Sequence, residues 1–281
     1  MRTHIECFPC FVRQTVIALA QLTDDPAVHE RIVKEVLSVM LHADTGKPPA
    51  YTTTFIHRLI RDRLGQDPFE KVKDTYNNLA LGLYPGLKDE IRKSRDPLRT
   101  AARLAISGNV IDFGIFTSID IDNSIRRSLG SRIGVDDYAA FSESVSEADD
   151  ILYLLDNAGE IVFDRLLIEE LAASGKKVTA VVKGSPVLND ATVVDAVQAG
   201  LTDICNIIDN GSDAVGTILE WTAPEFRRQY HAAGLIISKG QGNFETLIGN
   251  GKKTYFLFQS KCDVVSKELG LSPGSMLLKK S

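Results

Sequence analysis

The second half of the chain repeats one pattern: a short apolar run, a polar tip, then a helical stretch. "DILYLLDN" (150–157) precedes "IVFDRLLIEELAASG" (161–175), and "KVTAVVKG" (177–184) precedes "NDATVVDAVQAG" (189–200). "TDICNIIDN" (202–210), "GLIISKG" (234–240) and "KTYFLFQS" (253–260) continue the series. The runs start mostly at roughly 25 to 30 residue spacing, as parallel strands joined by crossover helices do. They are apolar throughout rather than alternating, which fits a sheet covered on both faces. The pattern predicts a doubly wound α/β domain with a mostly parallel sheet over residues 101–281.

Residues 1–100 read as a helical domain. In "DDPAVHERIVKEVLSVMLH" the apolar side chains fall at 28, 32, 33, 36, 37, 40 and 41, a stripe of period 3.6. Asp25 reads as its cap and Pro26 as its first helical residue. The same opening recurs at Asp67-Pro68 and Asp96-Pro97, and "TTTFIHRLIRDRLG" reads as a helix stopped by Gly65. "KPPAYTTT" is expected to be a loop and residues 271–281 a loose tail.

Composition excludes several classes. With 32 basic against 37 acidic residues and no basic block, a nucleic-acid or anionic-membrane surface is not expected. No apolar run approaches the roughly 18 residues of a membrane helix. "TVIALAQL", flanked by Glu6, Arg13 and Gln14, is too short for a signal sequence, so a cytoplasmic protein is expected. Four cysteines do not make a disulfide framework. Cys7 and Cys10 are read first as packing at a helix start, then as a metal site, then as a redox pair.

Functional expectations come from the strand tips. In an open parallel sheet the ligand crevice lies beyond the carboxyl ends of the strands. Those tips carry Asp156-Asn157, then Lys183-Gly184 with Asn189-Asp190 beyond, then Asp209-Asn210-Gly211, then Lys239 to Asn243 with Glu245 after it. Two Asp carboxylates and an Asn carbonyl are hard oxygen ligands suited to Mg²⁺, Mn²⁺ or a similar ion. Lys183 and Lys239 are candidates to neutralise phosphate oxygens, and the Gly-rich "KGQGNFE" to offer backbone N–H groups. Each tip also has a plainer reading. Asn189-Asp190 and Asp209-Asn210 are ordinary capping and turn residues, and Lys183 a solvated loop lysine. Asp156-Asn157 is less easily dismissed, since a cap needs one such residue and here two are adjacent. Asn109 and Asp112 in "SGNVIDFG" read locally as a helix end and a turn.

Together "SGNVIDFG", "LLDNAGEIVFD", "VVKGSPVLNDAT" and "SKGQGNFE" resemble the damage-control metal-dependent phosphatases, long known as DUF89. The resemblance spans nearly the whole chain and points to the compact archaeal and bacterial branch. It implies hydrolysis of phosphorylated sugars or damaged phosphometabolites with Mn²⁺, Co²⁺, Ni²⁺ or Mg²⁺. It implies Asp156, Asn157 and Asp190 as metal ligands, and roles for Asn109, Asp112, Lys239 and Glu245. On that basis Asp156, Asp112 and Glu245 are candidate catalytic residues. Asn109, Lys183, Lys239, Gly240 and Asn243 are candidate phosphate contacts. The implied partner is a small phosphorylated metabolite, without nucleic acid or membrane; self-association stays open. A non-catalytic nucleotide- or phosphometabolite-binding regulator would use the same crevice. A methyltransferase fits poorly, because no glycine-rich loop with an acidic ribose partner follows the first strand.

Overall fold

The computed structural model describes residues 1–108 and 130–281. Asn109 and Asp112 lie outside the described residues. The first helices are α1 (Cys7–Ala20), α2 (Pro26–Leu41), α3 (Pro49–Leu64), α4 (Glu70–Lys93) and α5 (Pro97–Ser107). Two of the three Asp-Pro openings act as read from sequence; Asp67-Pro68 instead forms a turn ahead of α4, with Asp67 accepting from the Phe69 N–H and Phe69 at the N-cap. Asp25 accepts from the Ala27 N–H and Asp96 from the Arg99 N–H, each ahead of a proline that needs no partner. Gly65 stops α3 in a left-handed conformation.

Seven strands form one sheet in the order β1-β7-β6-β5-β2-β3-β4. They are β1 (Ile133–Asp136), β2 (Asp150–Leu154), β3 (Lys177–Val182), β4 (Asn206–Asp209), β5 (Leu235–Lys239), β6 (Thr254–Gln259) and β7 (Met276–Lys280). All neighbours are parallel except β6 and β7. Between them run α6 (Tyr138–Glu147), α7 (Glu160–Ala173), α8 (Val193–Gln198), α9 (Pro224–Ala232), α10 (Gln241–Leu247) and α11 (Asp263–Glu268).

Alternate residues of each strand enter opposite cores. Ile151, Tyr153, Leu235 and Ile237 pack with α4, α5 and α7 on one face. Leu152, Leu154, Ile236, Phe256 and Phe258 pack with α9 and α10 on the other. Helices α1 to α3 close around a core of their own, from Phe11, Leu19, Ile32, Val36, Ile56 and Ile60.

Two sequence expectations are corrected. Residues 276–280 are not tail but β7, which pairs with both β6 and β1. "AYTTT" is not loop but the first turns of α3, entered through Pro49. The order of the sheet also locates the crevice. From β2 the chain winds outward through β3 and β4, then returns to place β5 on the other side of β2. The winding direction reverses between β2 and β5, and that switch point is where ligands bind in such sheets.

Candidate active site

Asp156 and Asn157 follow β2 at the switch point. An antiparallel bridge joins Asn157 to Asp190. The Ala191 N–H donates to the Asp156 carbonyl (2.7 Å) and the Ala158 N–H to that of Asn189 (2.8 Å). Two tips that lie far apart in the chain are thus stitched backbone to backbone. Asp156, Asn157 and Asp190 are all buried. Gly240, at the tip of β5, closes the other side. Its φ is +81°, and a Cβ there would stand 2.0 Å from Asp156 Oδ2. No side chain fits between this backbone and the carboxylate.

The electrostatics show an anionic cluster short of positive charge. Burial, then the Asp190 and Glu160 carboxylates, push the Asp156 carboxyl well above the usual range, against Lys261 and Lys183. Burial also raises Asp190, opposed chiefly by Lys183. Lys183 Nζ lies 3.3 Å from Asp190 Oδ2, donates to the Ala214 carbonyl (2.8 Å) and also to that of Gly216. Asp190 Oδ2 is buried and has no hydrogen-bond partner. Asn157 Nδ2 donates to Asp156 Oδ2 (2.8 Å) and Glu160 Oε2 (3.1 Å), which leaves its carbonyl as the group it can offer a ligand. Two carboxylates and one amide oxygen, buried and mutually repelling, fit a hard divalent cation. Among the described residues no group of three His, Cys, Asp or Glu could hold a metal, so the amide is needed to complete this set.

Other expected contacts are arranged differently. Lys239 is wholly buried, and its Nζ donates to Glu160 (2.6 Å), Asp164 (2.6 Å) and the Ala105 carbonyl (2.8 Å). All three donors are used inside the protein, not on a phosphate. The cause is strand parity: Lys239 shares a face with Leu235 and Ile237, beneath α5 and α7. Asn243 is likewise enclosed. Its Nδ2 donates to the Leu155 and Lys239 carbonyls, and its Oδ1 accepts from Thr217. It braces the tips instead of reaching a ligand. Glu245 is buried and accepts from Gln241 Nε2 (2.8 Å), while the chain amino terminus and Glu268 are the charges that act on it. Asp209 and Asn210 make turn bonds, to the N–H groups of Gly211 and of Ser212 and Gly184. Cys7, Cys205 and Cys262 form no disulfide.

Sequence reasoning missed Glu160, Asp164 and Lys261. Lys261 follows the tip of β6, so the rule applied to the other strands would have found it. Glu160, in the first turn of α7, resembles any acid at a helix start.

The sheet, its switch point and its buried acidic tip define an α/β protein with a polar crevice at the carboxyl ends of its strands. The damage-control phosphatase ARMT1-like domain model matches residues 3–277, and the chain belongs to that family. A damage-control phosphatase of Pyrococcus horikoshii is 34% identical, over 99% of this chain and 97% of its own. One from Archaeoglobus fulgidus is 33% identical over 97% of each. An uncharacterized protein of Methanocaldococcus jannaschii is 36% identical, covering 98% of this chain and 94% of its own. The crystal structure of a DUF89 family protein from P. horikoshii superposes with a TM-score of 0.90 at 32% identity, covering 100% of this chain and 99% of that one. Among the described residues no helix is long and apolar enough to cross a membrane.

Proposed function

We propose that this protein is a divalent-cation-dependent phosphatase for small phosphorylated metabolites. One observation carries the reading: Asp156, Asn157 and Asp190 are stitched into one buried acidic edge at the switch point, where Asp190 Oδ2 lacks a hydrogen bond. Asp156, Asn157 and Asp190 would hold the cation, which when bound supplies Lewis-acid polarisation of a phosphoryl oxygen. Lys261, acting on Asp156, would supply positive charge for the anionic substrate, whereas Lys183, like Lys239, is spent inside the protein, on the Ala214 and Gly216 carbonyls and Asp190. Gly240 keeps the approach to Asp156 free of a side chain. The relatives named damage-control phosphatases support the same chemistry.

The test is hydrolysis of p-nitrophenyl phosphate by protein stripped with EDTA, with Mn²⁺, Co²⁺, Ni²⁺ or Mg²⁺ then added back. Activity is expected to vanish on stripping and return with at least one ion. The Asp156→Ala variant should stay folded and lose about 100-fold or more in rate, since the developing charge loses its principal support. Undiminished turnover in EDTA, or full activity in Asp156→Ala, would refute the reading.

A further inference from the structure

Beneath the acidic edge lies a second polar cluster, sealed from solvent. Lys239, Glu160 and Asp164 are each 0% exposed. Lys239 comes from β5, Glu160 and Asp164 stand one turn apart on α7, Tyr153 comes from β2, and the Ala105 carbonyl from α5. The Tyr153 hydroxyl donates to Asp164 Oδ1 at 2.7 Å. Parts of the sheet and two helices are thereby fixed around one ammonium group. Burying such charges is expensive, and well-packed apolar residues of the same volume are often no less stable. Stability alone therefore does not account for the cluster.

We infer that Glu160, locked by Lys239, is the residue that orients the Asn157 amide so that its oxygen faces the cation. The inference rests on the cation site proposed above. An asparagine amide has two edges of nearly equal shape, one donating and one accepting. Glu160 Oε1 accepts from Lys239 (2.6 Å) and Oε2 accepts from Asn157 Nδ2 (3.1 Å). An ionised carboxylate only accepts, so it holds the NH₂ edge toward itself. Asp156 Oδ2 accepts from the same Nδ2 (2.8 Å), but it belongs to the cation site itself, whereas Glu160 is anchored from behind. With the NH₂ edge fixed inward, the carbonyl edge is the one presented. Residues that orient a metal ligand in this way commonly affect metal affinity by about 10- to 100-fold.

The arrangement makes a discriminating prediction for Glu160→Gln. Glutamine keeps the size but has one accepting oxygen and one donating NH₂. Lys239, carrying a full charge, takes the oxygen. The NH₂ then faces the NH₂ of Asn157, and the Asn157 amide turns over to present hydrogens to the cation. Asp164→Asn is the comparison, because Asp164 touches Lys239 and Tyr153 but not Asn157. The double variant Glu160→Gln/Lys239→Met removes the ammonium and one of its two carboxylates, leaves Asp164 to the Tyr153 hydroxyl, and frees the glutamine oxygen to accept from Asn157.

The experiment is Mn²⁺ titration of stripped, folded protein by calorimetry, with circular dichroism as the check on folding. Glu160→Gln should weaken the Mn²⁺ dissociation constant by about 10- to 100-fold, with Asp164→Asn and the double variant each within about threefold of wild type. Glu160→Gln leaves the Lys239–Asp164 pair balanced and is the variant expected to stay folded; if the double variant does not fold, Glu160→Gln against Asp164→Asn decides the test. Unchanged Mn²⁺ affinity in Glu160→Gln would overturn the inference, as would equal weakening in Asp164→Asn or no recovery in the double variant. Wild-type protein that takes up no Mn²⁺ overturns it together with the cation site. Mn²⁺ uptake with the predicted pattern but without hydrolysis would sink only the phosphatase reading.

Discussion

Glu245 illustrates how enclosure alone resets a carboxylate. Burial pushes its carboxyl from 4.5 up to about 7, against the Gln241 hydrogen bond and the chain amino terminus, with Glu268 adding a smaller upward push. Between those two pH values the folded state holds a proton that the unfolded chain has released. Stability therefore falls as pH rises through that window, and the loss is complete above it. The cost at pH 8 is on the order of 3 kcal/mol. Glu245→Gln should thus be more stable than wild type by that order at pH 8 and equal to it at pH 4.5, measured by urea denaturation at both. A gap that does not change with pH would show that Glu245 ionises freely in the folded protein. At this scale the sequence was partly legible. Asp156, Asn157 and Asp190 stood out because hard oxygen ligands sat at the ends of apolar runs. Lys239 looked like one of them, but it is the third member of the series Leu235, Ile237, Lys239, and period-two alternation already assigns it to the interior. Glu160 gave no signal, because its partner lies 79 positions away in the chain.

Asn77 shows how one element can set the geometry of two others. It is fully buried on α4. Its Oδ1 accepts from the Gly159 N–H (2.6 Å), and its Nδ2 donates to Asp195 (2.9 Å) and Gln198 (2.7 Å) on α8. The loop that carries Asp156-Asn157 and the helix that follows Asp190 therefore hang from one amide. Asn77→Ala strands a buried N–H and a buried carboxylate oxygen, which should cost about 2–4 kcal/mol. Urea denaturation measures this, and a loss below about 0.5 kcal/mol would show that the neighbours find other partners. None of these contacts was readable beforehand, since each spans more than 80 residues. The elements themselves were more legible. Strands β2 to β6 announced themselves as apolar runs, whereas β7 is a five-residue segment ending in Lys279-Lys280. It becomes a strand because the edge of β6 and the flank of β1 accept it. The start of α3 was hidden by Pro48-Pro49 and three threonines, residues that suggest a loop until the first helical turn is seen to need no N–H from proline.

Across the whole molecule, one route from the α1–α3 module to the acidic edge runs through the loop that carries Asp213. Arg58 and Arg61 both grip Asp213, with Arg58 Nε 2.9 Å from Oδ2. The Val215 N–H donates to Thr54 Oγ1 (3.0 Å). The same loop offers the Ala214 and Gly216 carbonyls that hold Lys183, and Lys183 pairs with Asp190. An unbroken line of contacts thus runs from α3 to a residue of the acidic edge. Burial works to raise the Asp213 carboxyl, but the two arginines outweigh it and hold it below the usual range. The pair therefore adds stability above pH 4 and loses it as pH falls through the lowered value. Asp213 is only about four-fifths enclosed, at 20% side-chain exposure, so solvent screening limits the gain to about 1–2 kcal/mol. Asp213→Asn should lower stability by that amount at pH 7. It should also speed hydrogen exchange at the Val215 amide, because the loop loses its grip on α3 while Thr54 remains. If the line of contacts carries mechanical information, the same variant should weaken Mn²⁺ uptake by a few-fold through Lys183 and Asp190, the upper end being about tenfold. Faster exchange at Val215 with unaltered Mn²⁺ uptake would break the line at Lys183 and leave the α1–α3 module as a clamp on the loop alone.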